Sequence, residues 1–518
     1  MKKPLNPNND QNQGSRGTYR SPFDRDAPID LNAQKYADDF SIPQELARII
    51  AARHPAYHSA QAFLNPVAPR LHDPATIPDI GLASDEIINA INNQEKILIY
   101  GHDDPDGYTS AALMYKTLID LGRGGGKDRI FVYALRREKD SYMLNPEVLK
   151  AYRDQGVSVL ITVDFGISSR ENFKIAEGHG MRLIVCDHHE TNNRDFPGPA
   201  VDPKRQDSRY PFRDLAGAGV SFKLCQVLYQ KVLRLGPADF YKLKTEFLAI
   251  AMIGTIADRV RMTGENRVLC HEGLKAINRI NCPWSNQLKK SGPVDFIRVN
   301  SEIIPILVSA ATDDPDLGVR FFTDPDEKAV AEIMGRLKTS DEKRRQEIDR
   351  VFQDAVLSAK AFPNIIISVL PSVKMHYLGG VCSRLRDYFH RTACVITLKD
   401  DRGFGEMRTT GLDLYQMLYE LRALFLDFGG HKRAAGFSFV PHNLDTFMTE
   451  AESHARQCTA EDIGTGKPEI FLDKSKIALL LPLLPFGEGN RAPLLTDGTD
   501  MYTIDNKFNI IELGLCQT

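Results

Sequence analysis

The chain has little that would tie it to a membrane, a disulfide framework or bulk nucleic-acid binding. Its longest apolar runs, such as 247–257, fall short of the roughly 20 residues that span a bilayer. Its eight cysteines are scattered with no CxxC pair, which is typical of reduced, cytoplasmic proteins and not of a thiolate zinc site. The 65 Lys and Arg residues nearly balance 68 Asp and Glu, for a formal net charge of -3. That balance excludes a protein that binds nucleic acid by overall positive charge, although it allows basic side chains in one groove.

The 518 residues predict several domains, at roughly 100–200 residues per domain. Residues 1–35 are rich in Asn, Gln, Pro, Ser and Arg, and predict a disordered tail without a signal peptide. Residues 36–320 predict an α/β domain with an N-terminal extension, and residues 321–361, with dense mixed charge, predict a long and largely solvated connector helix. A smaller α/β domain is expected over 362–450, and the segment 451–518 is too short for a full extra domain.

Short apolar runs alternate with helical patterns through the first domain. Lys96–Tyr100, Val157–Val163 and Arg182–Cys186 predict strands, Thr109–Leu121 predicts a helix, and Lys242–Thr255 predicts a later helical block. Strands that are apolar throughout and alternate with helices are typical of a parallel sheet with helices on both faces. The sequence therefore predicts an α/β fold built on a parallel sheet.

Acidic residues and histidines follow each of these three strands, and one further aspartate follows the later helical block. The residues are His102, Asp104, Asp106, Asp164, Asp187, His188, His189 and Asp258. Because ligands bind beyond the carboxyl ends of strands in such sheets, we expect these side chains to converge there. Convergent carboxylates repel one another unless a cation neutralises them. Oxygen ligands with some imidazole suit Mn²⁺ or Mg²⁺, and this many carboxylates favour two ions about 3.5–4 Å apart, an arrangement suited to phosphoryl displacement.

Each cluster has an ordinary structural explanation when it is taken alone. An acidic turn that ends in Gly107 is most often only a turn. The hydrogen bonds of the pair His188 and His189 could simply be satisfied by capping at the start of a helix. Three strand-end clusters together with Asp258 are hard to explain in that way. The combination therefore predicts a metal site.

These motifs, taken together, resemble those of the DHH phosphoesterase superfamily, and the resemblance is closer to its RecJ branch. They are HDDPDG at 102–107, VDFGIS at 163–168, DHH at 187–189 and IADRV at 256–260. In the smaller domain, GGVCSRLRDYF and GGHKRAAGF look like segments of the DHH-associated domain. PFGEGNRAPLL, near the C-terminus, looks like the start of an OB-fold, so that the resemblance extends over about residues 40 to 500.

The resemblance implies a parallel-sheet DHH catalytic domain joined by a long helix to a smaller α/β DHH-associated domain, with a partial OB-like C-terminal segment. It implies phosphodiester hydrolysis with two Mn²⁺ or Mg²⁺ ions, by a cytoplasmic 5′-to-3′ exonuclease on single-stranded DNA in DNA repair and recombination. Single-stranded nucleic acid is the implied ligand. Single-strand-binding protein or helicases are the implied protein partners, and no membrane is implied.

The resemblance also implies a role for each site residue. Asp164 would bridge the two metals, while Asp104 with His102 would complete one metal site. The other site would be completed by Asp106, His188 and Asp258. Asp187 would orient the imidazoles, and His189 would face the scissile phosphate. The residues that would contact the nucleic-acid backbone are Ser383, Arg384, Gly429, Gly430 and His431.

Three features depart from the RecJ pattern. His102 stands where the acidic loop normally begins with aspartate, residues 305–312 lack the arginines of the family's Pro-Arg-x-Asn-Ala-Ala-Gly-Arg stretch, and the OB-like part ends soon after Asn509. These departures leave two alternatives open. One is an oligoribonuclease or cyclic-dinucleotide phosphodiesterase of the same superfamily, and the other is a non-catalytic nucleic-acid-binding relative.

Overall fold

From residue 31 onward, where the described part of the chain begins, four helices precede the first strand and pack into the core of the first domain. This computed structural model describes residues 31–122, 126, 128–136, 140, 143–191, 193, 195–399, 401–409, 411–456 and 468–515. Residues 1–30 of the predicted tail lie outside the described residues, whereas residues 31–35, also predicted to be disordered, form the first half of a helix. The helices are α1 (Leu31–Phe40), α2 (Gln44–Arg53), α3 (Tyr57–Leu64) and α4 (Ile80–Asn92).

A parallel sheet forms the centre of the first domain, as predicted. Its strands are β1 (Lys96–Gly101), β2 (Ile130–Ala134), β3 (Val157–Val163), β4 (Arg182–Cys186) and β5 (Ala200–Val201). They lie in the order β2-β1-β3-β4-β5 and all pair in parallel. Alternate residues of β1 enter two cores, with Ile97 and Ile99 on one face and Leu98 and Tyr100 on the other. Both faces are therefore buried, which explains why the strands are apolar throughout.

Helices cover the two faces of this sheet, and two of their boundaries differ from the prediction. The helices are α5 (Pro105–Leu121), α6 (Pro146–Asp154), α7 (Glu171–Gly178), α8 (Gly217–Leu233), α9 (Pro237–Leu243), α10 (Thr245–Ala257), α11 (Gly264–Arg279), α12 (Pro283–Lys289), α13 (Phe296–Arg298), α14 (Ile304–Val308), α15 (Ala310–Asp313) and α16 (Asp316–Thr323). Helix α5 begins four residues before Thr109, because Asp104 caps it by accepting from Gly107 N at 3.0 Å. The block predicted at Lys242–Thr255 is divided between α9 and α10, with Lys244 between them.

The charged stretch after this domain forms a single long helix, α17 (Glu327–Leu357). Val330 and Leu337 on its first half belong to the core of the first domain, whereas Ile348 and Val351 on its second half belong to a core of the second domain. Ser309 Oγ donates to Leu337 O at 2.8 Å, so the stretch that lacks the family's arginines packs against this helix. The helix therefore joins two hydrophobic cores while most of its charged residues face solvent.

The second domain is a mixed six-stranded sheet with three helices. Its strands are β6 (Ala359–Ala361), β7 (Ile365–Pro371), β8 (Thr392–Lys399), β9 (Arg402–Arg408), β10 (Phe425–His431) and β11 (Ala434–Phe439). Its helices are α18 (Met375–Phe389), α19 (Leu414–Glu420) and α20 (Leu444–Ala455). The strand order is β10-β11-β9-β8-β7-β6, and β7 and β8 pair in parallel around α18. The glycine-rich segment 429–437 is the hairpin between β10 and β11.

The C-terminal segment forms a small sheet that packs on the first domain. Its strands are β12 (Ile470–Phe471), β13 (Leu495–Thr496), β14 (Asp500–Ile504) and β15 (Ile510–Leu515), in that order. Leu472 and Tyr502 belong to the core of the first domain. Arg53 of α2 also forms a bidentate ion pair with Glu469, with both N–O distances at 2.9 Å. The segment is therefore continuous with the first domain.

Across the described ranges, we find no helix that is both long enough and apolar enough to cross a bilayer.

Candidate metal centre

The eight residues predicted to converge do so at the carboxyl edge of the parallel sheet. Strands β1, β3 and β4 are neighbours, so the loops that begin at His102, Asp164 and Asp187 start side by side. Asp258 arrives from a different direction, as the C-cap residue of α10. Three groups of ligand atoms result, in each of which the atoms lie within 4.8 Å of one another.

One group is centred on His188. Its Nε2 lies 3.2 Å from Asp164 Oδ1, 3.6 Å from Asp258 Oδ2 and 3.8 Å from Asp106 Oδ2. The His188 side chain is fully buried, and those of Asp106 and Asp164 are 2% and 3% exposed. An imidazole nitrogen together with three carboxylate oxygens is a donor set that suits Mn²⁺ or Mg²⁺.

A second group contains His102, Asp104 and Asp164. His102 Nδ1 lies 2.9 Å from Asp104 Oδ2 and 3.7 Å from Asp103 Oδ1. Asp164 contributes to this group and also lies 3.2 Å from His188 of the first group. Its carboxylate therefore lies between two adjacent sets of ligands, as a bridging ligand would.

Asp164 has an unusual backbone as well as an unusual position. Its φ angle is 64°, in the left-handed region that few residues other than glycine adopt. A residue held in this region carries backbone strain, and such strain clusters at functional sites. The surrounding structure thus holds the Asp164 carboxylate where local backbone preference alone would not.

Burial and mutual repulsion destabilise the charged forms of the carboxylates in this centre. Burial raises the pKa of Asp106 well above its usual value, and the neighbouring Asp258 and Asp104 raise it further. The pKa of Asp164 is likewise raised, first by burial and then by Asp106 and Asp104. A divalent cation between such groups relieves both penalties, because it stabilises their charged forms. The residues present therefore fit a site for two divalent ions.

Two glycines that the sequence did not single out make this packing possible. Gly217 N and Ala218 N, at the start of α8, donate to the two oxygens of Asp106 at 2.7 and 2.8 Å. A Cβ on Gly217 would lie 2.5 Å from Asp164 Oδ1, and a Cβ on Gly254 would lie 2.6 Å from Asp106 Oδ1. Both glycines occur far along the chain from the aspartates, so no local motif reveals their role.

Asp187 belongs to the third ligand group, with Asp164, His188 and His189, and it is also engaged by hydrogen bonds. Its Oδ1 accepts from His188 N at 2.7 Å and lies 2.8 Å from His189 Nδ1, while its Oδ2 accepts from Ile167 N at 2.9 Å. Burial alone would raise the pKa of Asp187, but the His189 imidazole and these hydrogen bonds hold it well below its usual value. Burial would lower the pKa of His189, yet Asp187 raises it. Asp187 therefore favours the protonated form of the neighbouring His189 ring.

The predicted substrate-binding residues lie in the second domain, away from these carboxylates. Ser383 Oγ donates to Gly379 O at 3.0 Å within α18, and Arg384 pairs with Asp349 of α17. Gly429 and Gly430 lie in strand β10. His431 ends the same strand, and its side chain falls outside the described part of the chain. The contacts of Ser383 and Arg384 described here lie within α17 and α18 and do not reach the metal centre.

A different set of cations lies between the two domains. Arg259 directly follows Asp258 and has a φ angle of 60°. Its pKa is lowered by burial and then by Arg408 and Arg386, which belong to the second domain. The charges of Arg386 and Arg408 therefore act on an arginine of the first domain that adjoins Asp258 in the chain, an interaction that sequence spacing could not show.

Known families match both parts of this architecture. The DHH family N-terminal domain matches residues 96–255, and the DHHA1 domain matches residues 363–457. The single-stranded-DNA-specific exonuclease RecJ of Bacillus subtilis (strain 168) is 29% identical over 463 residues, which cover 84% of this chain and 56% of that protein. RecJ of Dickeya dadantii (strain 3937) is 30% identical over 391 residues, 69% of this chain and 66% of that protein.

The fold is also that of a solved structure. The Mn²⁺ complex of RecJ from Thermus thermophilus aligns with a TM-score of 0.71 at 21% identity, over 94% of this chain and 72% of that one. The fold and the site together define a DHH-type protein with a DHHA1 second domain, and the chain belongs to the DHH family. Within that family it is RecJ-like. It spans 56–66% of the length of the two curated relatives described above.

Proposed function

We propose that the protein hydrolyses phosphodiester bonds with two divalent metal ions, as a 5′-to-3′ exonuclease on single-stranded DNA in DNA repair and recombination. The observation that carries this proposal is that two groups of ligand atoms, each within 4.8 Å of one another, adjoin at Asp164. Asp164 belongs to the group with His102 and Asp104, and it lies 3.2 Å from His188 of the group with Asp106 and Asp258. The buried carboxylates of these groups repel one another, and divalent cations would offset that repulsion.

In this proposal, Asp164 is shared by two metal sites. His102 and Asp104 complete one site, and Asp106, His188 and Asp258 complete the other. Two bound ions supply Lewis-acid stabilisation of both the attacking and the leaving oxygen of the displacement. The Thermus thermophilus structure is a complex with Mn²⁺, and a second structure of that protein is a complex with Mg²⁺, which supports either ion here.

The chain's own residues then act on the substrate around these ions. His189, oriented by Asp187 at 2.8 Å, holds a proton that it donates to a non-bridging oxygen of the scissile phosphate. Arg259, Arg386 and Arg408 place positive charge between the domains, where a polyanionic strand would lie. Contacts of the strand with Ser383, Arg384, Gly429, Gly430 and His431 belong to the same proposal.

The substrate and the biological context rest on the relatives. The curated relatives from Bacillus subtilis and Dickeya dadantii are named single-stranded-DNA-specific exonucleases. A cytoplasmic location is supported by the scattered free cysteines. Single-strand-binding protein or a helicase as a partner is part of the same proposal and follows from the RecJ resemblance.

Labelled oligonucleotides test the proposal directly. Single strands of about 30 nucleotides, labelled at either end, are incubated with the full chain and Mn²⁺ or with EDTA. We expect the 5′ label to be released first in Mn²⁺ and no release in EDTA. Asp106→Asn is the matched inactive variant, because it keeps the volume of the buried side chain and removes its charge. Its single oxygen can accept from only one of the two amides, Gly217 N and Ala218 N, that bond to Asp106.

The same experiment separates the alternatives. Activity confined to dinucleotides or to RNA in a length series would replace the exonuclease with an oligoribonuclease or a dinucleotide phosphodiesterase. Strand binding that weakens steeply with salt but shows no turnover in Mn²⁺ would instead identify a non-catalytic binding protein.

Asp187→Asn should lower kcat about 10- to 100-fold with little change in KM, the usual loss when a residue that orients a neighbour is changed. The asparagine retains an oxygen for the His188 amide but no longer stabilises a protonated His189. The expected signature is non-additivity, because Asp187 acts through His189. In a His189→Gln background, Asp187→Asn should lower kcat less than about threefold. An equal loss of kcat in the wild-type and His189→Gln backgrounds would contradict this assignment.

A further inference from the structure

The loop that carries Asp258 is bonded to the C-terminal segment. We call residues 258–263 the Asp258 loop and residues 487–490 the C-terminal turn. Met262 N of the loop donates to Glu488 O of the turn at 2.7 Å. The turn is closed on itself, because Gly487 and Asn490 exchange two backbone hydrogen bonds of 3.0 and 3.1 Å.

The contact between loop and turn is close packed. A Cβ on Gly487 would lie 3.0 Å from Val260 O and 3.0 Å from Met262 Cβ. Val260 is 9% exposed and Met262 is 1% exposed, so both side chains are covered. Any side chain at position 487 must therefore displace the part of the loop that begins two residues after Asp258.

The C-terminal turn is itself anchored to the first domain. Asn490 is 1% exposed, and its Nδ2 donates to Leu483 O at 2.7 Å and to Pro485 O at 2.9 Å. Arg267 of α11 donates to Pro482 O at 2.8 Å, with its guanidinium 3.6 Å from the ring centroid of Phe63. The turn is thus a fixed support rather than a mobile tip.

The C-terminal turn bonds to the Asp258 loop three residues after a strained residue, Arg259. The chain leaves α10 at Asp258 and reverses through Arg259, whose φ angle of 60° is strained. Inside the first domain, Asn266 Nδ2 donates a hydrogen bond of 2.9 Å to Arg261 O. The bond to Glu488 holds the next residue from the opposite direction, so the loop is held between α11 and the C-terminal turn.

We propose that the C-terminal turn is a positioning element for Asp258, through which the segment 468–515 helps to complete the metal centre. The inference rests on the proposed function, since it takes Asp258 to be a metal ligand. It assigns Gly487 and the main chain of Glu488 a role in metal affinity, in addition to any contact of the segment with nucleic acid.

Gly487→Val in the full chain tests this inference by Mn²⁺ titration, with free Mn²⁺ measured by electron paramagnetic resonance. The valine should push Val260 and Met262 outward and displace Asp258, and we expect the affinity for one of two Mn²⁺ ions to fall about tenfold or more. Cleavage lost at low Mn²⁺ should return as Mn²⁺ is raised, which a global loss of folded protein would not produce.

Gly498→Ala is the matched control in the same small sheet. Gly498 has a φ angle of 98°, so alanine there strains the hairpin before β14 without touching the Asp258 loop. We expect this variant to melt earlier than the wild type but to bind both ions with wild-type affinity. If Gly487→Val does not fold, Gly487→Ala should show the same loss of affinity to a smaller degree.

The outcomes distinguish the two proposals. Wild-type affinity for both ions in Gly487→Val, or equal losses in Gly487→Val and Gly498→Ala, would overturn the positioning role while leaving the proposed function intact. A wild-type chain that binds no Mn²⁺ would overturn the proposed function, and the positioning role with it.

Discussion

Asp164→Asn is expected to abolish cleavage and, at the same time, to raise the melting temperature of the metal-free protein. The loss of the shared ligand should lower kcat/KM about 10³-fold, equivalent to about 4 kcal/mol of transition-state stabilisation. Stability should change in the opposite direction, because burial and the neighbouring Asp106 and Asp104 destabilise the charged Asp164 in the absence of a cation. The melting temperature measured in EDTA should rise by roughly 2–4 °C for each kcal/mol of electrostatic repulsion that the substitution removes.

Asparagine is the informative substitution at this position. Asp164 has a φ angle of 64°, and asparagine is among the few side chains that tolerate the left-handed region. Alanine would add backbone strain and so obscure the gain in stability. A higher melting temperature for Asp164→Asn but not for Asp164→Ala would therefore show two things. The charge of Asp164 destabilises the metal-free protein, and alanine is strained in the left-handed backbone at this position.

Asp202→Asn is the matched control for Asp164→Asn. Asp202 is fully buried, its pKa is raised by burial and by Asp187, and its Oδ2 has no hydrogen-bond partner among the described residues. Its other oxygen accepts from Lys204 N at 2.6 Å, which an asparagine oxygen can also do. We expect Asp202→Asn to keep wild-type cleavage. Cleavage by Asp164→Asn above a tenth of the wild-type rate would remove Asp164 from the proposed centre.

Gly217→Ala should lower kcat/KM about 100-fold, as expected when a reacting group is misplaced by about 1 Å. The new Cβ would lie 2.5 Å from Asp164 Oδ1, so either the carboxylate or the start of α8 must move. The second movement would also break the 2.7 Å hydrogen bond from Gly217 N to Asp106. Affinity for Mn²⁺ should fall together with activity, measured by the same titration as for Gly487→Val.

Gly219→Ala, two residues further along α8, is the control for this effect. A Cβ on Gly219 would meet Leu215 Cδ2 at 3.2 Å and no atom of the metal centre at closer range. The Leu215 side chain lies outside the metal centre, so this variant should keep wild-type cleavage and wild-type affinity for Mn²⁺. A Gly217→Ala protein with the kinetics of Gly219→Ala would contradict the steric argument.

The sequence predicted the members of the centre because strand ends are a local feature. A run such as Val157–Val163 is apolar on both faces only in a buried parallel strand, and the residue that follows such a strand lies at the carboxyl edge of the sheet. That pattern is enough to place His102, Asp104, Asp164 and Asp187 together. It does not reveal β2 and β5, because β2 has partly exposed residues and β5 is only two residues long.

The sequence by itself therefore determined the parallel α/β core, the acidic and imidazole ligands and the family. Only the tertiary structure decided which groups support those ligands. Three of these contacts join residues far apart in the chain. They are the bonds from the Gly217 and Ala218 amides to Asp106, the interaction of Arg259 with Arg386 and Arg408, and the bond from Met262 to Glu488. The spacing of hydrophobic residues in the sequence shows which face of a single helix or strand is buried. The distance between atoms of different elements depends on how those elements pack, which no local pattern records.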